Sequence, residues 1–208
     1  MPILLKADRS VLFVHIPKTG GSTIERLFVN SGYKMHLRDT RRGGSAVMPF
    51  RKCPPQHWQA SLLQEILAVN RFDLMFLMTR DPINRFRSEY AMRHRVNPLT
   101  DSASVDEWAD RAFARYAKNP YALDNHLRPQ HEFHLPGSVV YRLEDGMDAM
   151  VADLNDRFGL GLTTEIPHAL DSTTRGQVPS STVQISPGLE GRLKSFYAED
   201  FSRYGYDL

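Results

Sequence analysis

Short apolar runs alternate with amphipathic stretches along the chain. Leu12 to Ile16 is an apolar run that stops at Pro17-Lys-Thr-Gly-Gly21, which predicts a buried strand entering a tight loop. From Ser22 to Asn30, Ile24, Leu27 and Phe28 recur at helical spacing, so the first unit is strand, glycine loop, helix. Asp73 to Thr79 reads as a second buried strand. After it, Asp81 suits an N-cap and Pro82 the first helical position, with Ile83, Phe86 and Tyr90 on the apolar face. Trp58, Leu62, Ile66 and Val69 predict an amphipathic helix, and Ser104 to Glu107 a capping box opening a helix with Val105, Trp108, Ala112 and Tyr116 inward. Ser138 to Leu143 predicts a third strand. Met147 to Phe158 predicts a helix closed by Gly159, and Ser186-Pro187 opens a last one. Residues 31–56 and 163–186 read as loops, and 119–136 fits neither period.

Strands alternating with helices predict an α/β fold with a mainly parallel sheet. At 208 residues the chain is expected to form a single domain, 1–208. Composition narrows the classes. Hydrophobic residues are 41% and charged residues 24%, an ordinary globular balance, and the net charge of +2 argues against a bulk nucleic-acid binder. Cys53 is the one cysteine, which excludes an internal disulfide and a cysteine-rich metal site. No apolar run approaches the ~20 residues of a membrane span, so the chain is expected to be soluble and cytoplasmic.

The chemistry concentrates in the two loops that follow strands, where ligands of α/β sheets sit. In Pro17-Lys-Thr-Gly-Gly-Ser-Thr23 the glycines admit a close ligand, and the first helical N–H groups lack intrahelical partners and face it. Lys18 adds charge, and Ser22 and Thr23 add hydroxyls. A glycine turn that merely starts a helix has the same pattern. The loop is not a Walker A, because Lys18 precedes Gly20 and Gly21. In the second loop Arg80 ends a strand, where its guanidinium fork suits a phosphate; Asp81, Arg85 and Ser88 share one helical face.

His15-Ile-Pro-Lys-Thr-Gly-Gly-Ser-Thr23 resembles the 5′-phosphosulfate loop of sulfotransferases that use PAPS (3′-phosphoadenosine-5′-phosphosulfate), in the form typical of the carbohydrate O-sulfotransferase branch. Arg80-Asp-Pro-Ile-Asn-Arg-Phe-Arg-Ser-Glu-Tyr90 resembles the family's 3′-phosphate motif. The resemblance implies a three-layer, P-loop-NTPase-like fold and transfer of a sulfuryl group from PAPS to a carbohydrate-like hydroxyl, leaving the 3′,5′-bisphosphate PAP, with no metal required. It implies that Lys18, Thr19, Gly20, Gly21, Ser22, Thr23, Arg80 and Ser88 hold the donor, and that Lys18 also acts in catalysis.

An acceptor hydroxyl must lose a proton, and a histidine is suited to take it. His57 resembles the base of the uronyl 2-O-sulfotransferase subgroup, and His126, in Asn125-His-Leu-Arg-Pro-Gln130, is the alternative. His15 is expected to be structural, inside the first strand. Val140-Tyr-Arg-Leu-Glu-Asp145 and Tyr197 to Tyr206 resemble the family's later strand end and its carboxyl-terminal closure, with Glu144 fixing loops. Ser172 to Arg175 are expected to fold over the donor. Arg38, Arg41, Arg42, Arg93 and Arg95 would favour an acidic acceptor. Two other readings stay open: an ATP-dependent small-molecule or nucleotide kinase with a diverged loop, and a non-catalytic PAPS- or PAP-binding module.

Overall fold

β2 (Arg9–Val14) alternates cleanly across the sheet: Val11 and Phe13 point to one side and Leu12 and Val14 to the other, all four fully buried. Both faces are covered, so a continuous apolar run is what this position requires. The computed structural model that shows this describes residues 2–39, 52–96, 98–167 and 178–208. β4 (Leu74–Thr79) runs parallel to β2, with Phe13 opposite Phe76, and β5 (Val139–Arg142) runs parallel to β4, with Phe76 opposite Val139. β1 (Ile3–Lys6) pairs antiparallel with β2, and β3 (Lys34–His36) antiparallel with β1. The sheet order is β3-β1-β2-β4-β5, a mixed sheet with a parallel core.

α1 (Gly21–Asn30) and α5 (Met147–Phe158) cover one face, where Ile24, Leu27, Phe28, Met150, Val151 and Leu154 meet Val11, Phe13 and Phe76. On the other face Trp58, Leu63 of α2 (Ala60–Ile66), Phe133 and Leu135 pack on Leu12, Val14 and Leu77. This is the expected α/β, P-loop-NTPase-like layering. A further helical cluster joins α3 (Pro82–Arg93), α4 (Ser102–Lys118), α6 (Pro187–Phe196) and α7 (Ala198–Tyr204). Among the described residues no helix is long and apolar enough to cross a membrane.

Several local readings are corrected. β1, at four residues, and β3, at three, are too short to carry an alternation signal; β3 forms one edge of the sheet and β1 joins it to β2. The helix expected over 58–69 shrinks to Ala60–Ile66, with single turns at Pro55–His57 and Val69–Arg71; Leu63 is its buried residue and Ile66 is 54% exposed. α4 opens at Ser102, not at Ser104, because the Asp101 carboxylate accepts the Ser104 amide at 2.9 Å and so makes the stronger cap. Asp81 caps α3 as expected, accepting from the Asn84 amide at 2.7 Å.

Candidate functional site

β2 and β4 are parallel neighbours, so the loops that leave their carboxyl ends lie side by side. The first begins with His15 and Ile16, just past the strand. Lys18 and Gly20 both take left-handed backbone, at φ 71° and 85°. Gly20 tolerates this without cost, whereas Lys18 stores strain of the kind that clusters at binding loops. A methyl group at Gly21 would overlap the His15 ring, so only glycine lets that ring close on the loop. The Gly20 carbonyl accepts from the amides of Thr23 at 2.9 Å and Ile24 at 3.3 Å, which starts α1. The Gly21 and Ser22 amides have no acceptor one turn back and stand at the positive end of the helix dipole. Thr19 departs from expectation. Its side chain is buried and its hydroxyl donates to the Ile16 carbonyl at 2.9 Å, so it braces the loop and offers a ligand only its backbone. Ser22 and Thr23 are partly exposed.

The second loop meets the first directly: Arg80 Nη1 donates to the Lys18 carbonyl at 3.4 Å. Arg80 is fixed by the side chain of Gln130, which is fully buried. Gln130 Oε1 accepts the Arg80 amide at 3.0 Å and Nε2 donates to the Arg80 carbonyl at 2.7 Å, as a neighbouring strand would. Asp200 of α7 holds Gln130 in turn, accepting its amide at 2.7 Å. Glu144 fixes loops, as expected: it accepts the Asp81 amide at 2.8 Å and the Tyr206 hydroxyl at 3.1 Å. Ser88 is partly exposed about two turns along α3. Arg85, one turn before Ser88, turns its guanidinium away from the loop. It is 2% exposed, donates to the Arg128 carbonyl at 2.6 Å and lies over the Tyr197 ring, so it belongs to the helical core.

Cations crowd here. Burial pushes the Lys18 ammonium below its ordinary pKa; Glu89 opposes this, and the Arg80 and Arg93 charges add to it.

Beside the first loop stand three histidines in a row. The His15 and His57 rings meet edge-on with centroids 5.3 Å apart, and the His57 and His126 rings at 4.7 Å. His57 Nδ1 lies 3.1 Å from the Asp124 carbonyl, which can only accept, so Nδ1 carries the proton and Nε2 is left as a bare base. Burial, with the neighbouring His126 and His15, holds the His57 pKa well below the ordinary value, so the ring is neutral at pH 7. The carbonyl is presented by an unusual turn: Leu123, Asp124 and Asn125 all have left-handed backbone, at φ 56°, 60° and 70°. Asn125 Nδ2 ties that turn to the His57 carbonyl at 2.8 Å and to Gln59 at 3.1 Å.

The structure therefore brings Lys18, Gly20, Gly21, Arg80, His57 and His126 to one end of the sheet. His15 lies past the end of β2 rather than within it and faces this site. Arg38 and Arg93, expected to favour an acidic acceptor, are committed to Glu25 at 3.0 Å and Glu89 at 2.7 Å. Arg41, Arg42 and Ser172 to Arg175 lie outside the described residues. Sequence reasoning missed Glu89 and Gln130 and gave Glu25 no role here. A buried glutamate directly after Ser88 in an otherwise polar helix face carried no periodic signal, and Gln130 sat in a stretch with no period at all.

No curated protein and no solved structure matches the chain. The family model described as the sulfotransferase family matches residues 1–207. That match covers the two loops, the sheet that aligns them and the closing helix α7, and it makes this chain a member of the sulfotransferase family, enzymes that transfer a sulfuryl group to an acceptor.

Proposed function

We propose that this protein is a single-domain, PAPS-dependent O-sulfotransferase acting on a hydroxyl of a carbohydrate or glycan-like acceptor. The observation that carries the reading is the contact between Arg80 and the Lys18 carbonyl, which sets two cationic loops edge to edge. A donor with a phosphosulfate at one end and a 3′-phosphate at the other needs two such grips. A single phosphate does not.

PAPS supplies an activated sulfuryl group and a phosphate leaving group. The chain supplies the rest. Lys18 and the amides of Gly21 and Ser22 put positive charge where a leaving phosphate gathers negative charge, which lowers the barrier. Arg80 and Ser88 hold the 3′-phosphate. His57, neutral and with Nε2 unprotonated, takes the proton of the acceptor hydroxyl. The carbohydrate acceptor is carried by the resemblance of the HIPKTGG loop to that branch of the family.

Calorimetry with the 3′,5′-bisphosphate tests the donor. Wild-type protein binds it, and Lys18→Ala and Arg80→Ala each weaken binding by about 10- to 100-fold, the worth of a hydrogen bond to a charged group. Unchanged affinity in both variants would sink the reading. Tighter, magnesium-dependent binding of ATP would turn it into a kinase, and bisphosphate binding with no sulfated product across a sugar panel into a binding module.

A further inference from the structure

The two helices that open the donor loops each send one buried carboxylate to a histidine beside His57. On α1, Glu25 Oε1 accepts from His15 Nδ1 at 2.7 Å, and Oε2 pairs with Arg38 Nε at 3.0 Å. On α3, Glu89 Oε2 accepts from His126 Nδ1 at 2.6 Å, and Oε1 accepts from Arg93 Nε at 2.7 Å. The arrangement is the same on both sides: arginine, glutamate, histidine, then the edge of His57. Glu25 and Glu89 are 2% and 1% exposed. Burying two carboxylates is expensive, and well-packed apolar residues would stabilise the same space as well or better. Stability alone does not account for the pattern.

Geometry does. The hydrogen bond from Nδ1 to the Asp124 carbonyl fixes one edge of the His57 ring. The His15 and His126 rings fix it from two further directions, at 5.3 and 4.7 Å. Neither neighbour can turn, because its own Nδ1 is held by a glutamate that an arginine holds in turn. Each glutamate comes from a helix that also carries donor-loop residues: Ser22 and Thr23 on α1, Ser88 on α3.

We propose that His126, clamped by Glu89, is a positioning residue for sulfuryl transfer: together with His15 it holds the His57 ring between the two donor-gripping helices, so that the base is aimed by the same elements that hold the donor. This rests on the reading of His57 as the base. His15 also lies against Gly21, so changing it disturbs the donor loop. His126 gives the cleaner test.

The experiment compares His126→Ala, His126→Phe and Glu89→Gln with wild type for kcat, donor KM, bisphosphate affinity and the pH profile of kcat, with His57→Ala alongside. His126→Ala lowers kcat about tenfold, within the ~100-fold that a 1 Å misplacement costs, and leaves bisphosphate affinity unchanged. His126→Phe keeps a ring against His57 and regains most of the lost kcat. The charged and titratable groups around His57 are the His15 and His126 rings, backed by Glu25 with Arg38 and by Glu89 with Arg93. The His126 ring is one of the neighbours that lower the His57 pKa. The acid limb of kcat therefore moves to higher pH in both His126 variants, a shift that a purely structural role does not produce. Unchanged kcat in His126→Ala overturns the proposal. So does an equal loss of kcat and bisphosphate affinity with no recovery in His126→Phe. If His126→Ala does not fold, His126→Phe and Glu89→Gln carry the comparison: the proposal requires the acid limb of His126→Phe to move with bisphosphate affinity kept, and the kcat of Glu89→Gln to fall. Wild-type turnover in His57→Ala is a different failure, that of the base assignment itself.

Discussion

The proposed donor side and the proposed acceptor side of the site are built in opposite ways. The loops at 17–23 and 80–82 are products of local chemistry: a strand ends, glycine or an Asp-Pro pair turns the chain, and a helix starts, with free amides facing the turn in α1 and an Asp81 cap in α3. The acceptor side, at 55–59 and 122–130, has no helix of ordinary length and no strand. It is held by side chains that reach across the fold, His57 to Asp124, Asn125 to Gln59, and Gln130 to Arg80. Its turn at Leu123–Asn125 adopts a conformation that costs roughly 1–2 kcal/mol per residue, so the surrounding contacts must outweigh it. The comparison teaches that, on the proposed reading, binding the donor is a property of short segments, while aiming the base is a property of the assembled molecule.

The sharpest way to separate the two sides is His57→Ala. Loss of a general base lowers kcat by about 10²- to 10⁴-fold, and calorimetry still finds the 3′,5′-bisphosphate bound with wild-type affinity. Equal losses in both quantities would erase the distinction.

A smaller effect crosses the divide. Gln130→Ala leaves the Arg80 amide and carbonyl without their partners, and each unpaired buried group costs about 1–3 kcal/mol. Denaturant unfolding should show that loss. Bisphosphate affinity should also fall, since the acceptor-side segment is what seats Arg80. A destabilised protein with unchanged affinity would mean that Arg80 is seated by β4 alone.

The smallest effect is a pH dependence confined to the donor side. The Lys18 ammonium is charged below its pKa, which burial, assisted by Arg80 and Arg93 against Glu89, keeps lower than that of an ordinary lysine. Bisphosphate affinity therefore declines as the pH rises through that lowered pKa, earlier than an exposed lysine would titrate. Lys18→Arg, which stays charged, abolishes the decline. A decline that survives in Lys18→Arg assigns it to another group.

What the sequence made legible follows the same division. The apolar alternation of β2 and β4, the Asp81 cap, the Ser186 cap and the Gly20-Gly21 loop were all readable, because each depends on residues within a few positions of one another. Arg85 misled for the opposite reason. Its spacing put it on the face of Ser88, yet the Arg128 carbonyl and the Tyr197 ring drew it inward. Thr19 misled likewise, since nothing local announces that its hydroxyl turns back to Ile16.

The sequence by itself determined the sheet's parallel core, the two phosphate-type loops at strand ends, and membership of a sulfotransferase-like pattern from residue 11 to 206. Hydrophobic period, glycine turns and caps act over a few residues and survive in any context. Only the tertiary structure decided which histidine keeps a free Nε2, which glutamates stand behind its neighbours, and that a glutamine from a patternless stretch holds Arg80. Those contacts join residues far apart in the chain. Their hydrogen bonds gain their worth only once the surrounding fold has removed the water that would otherwise compete for them.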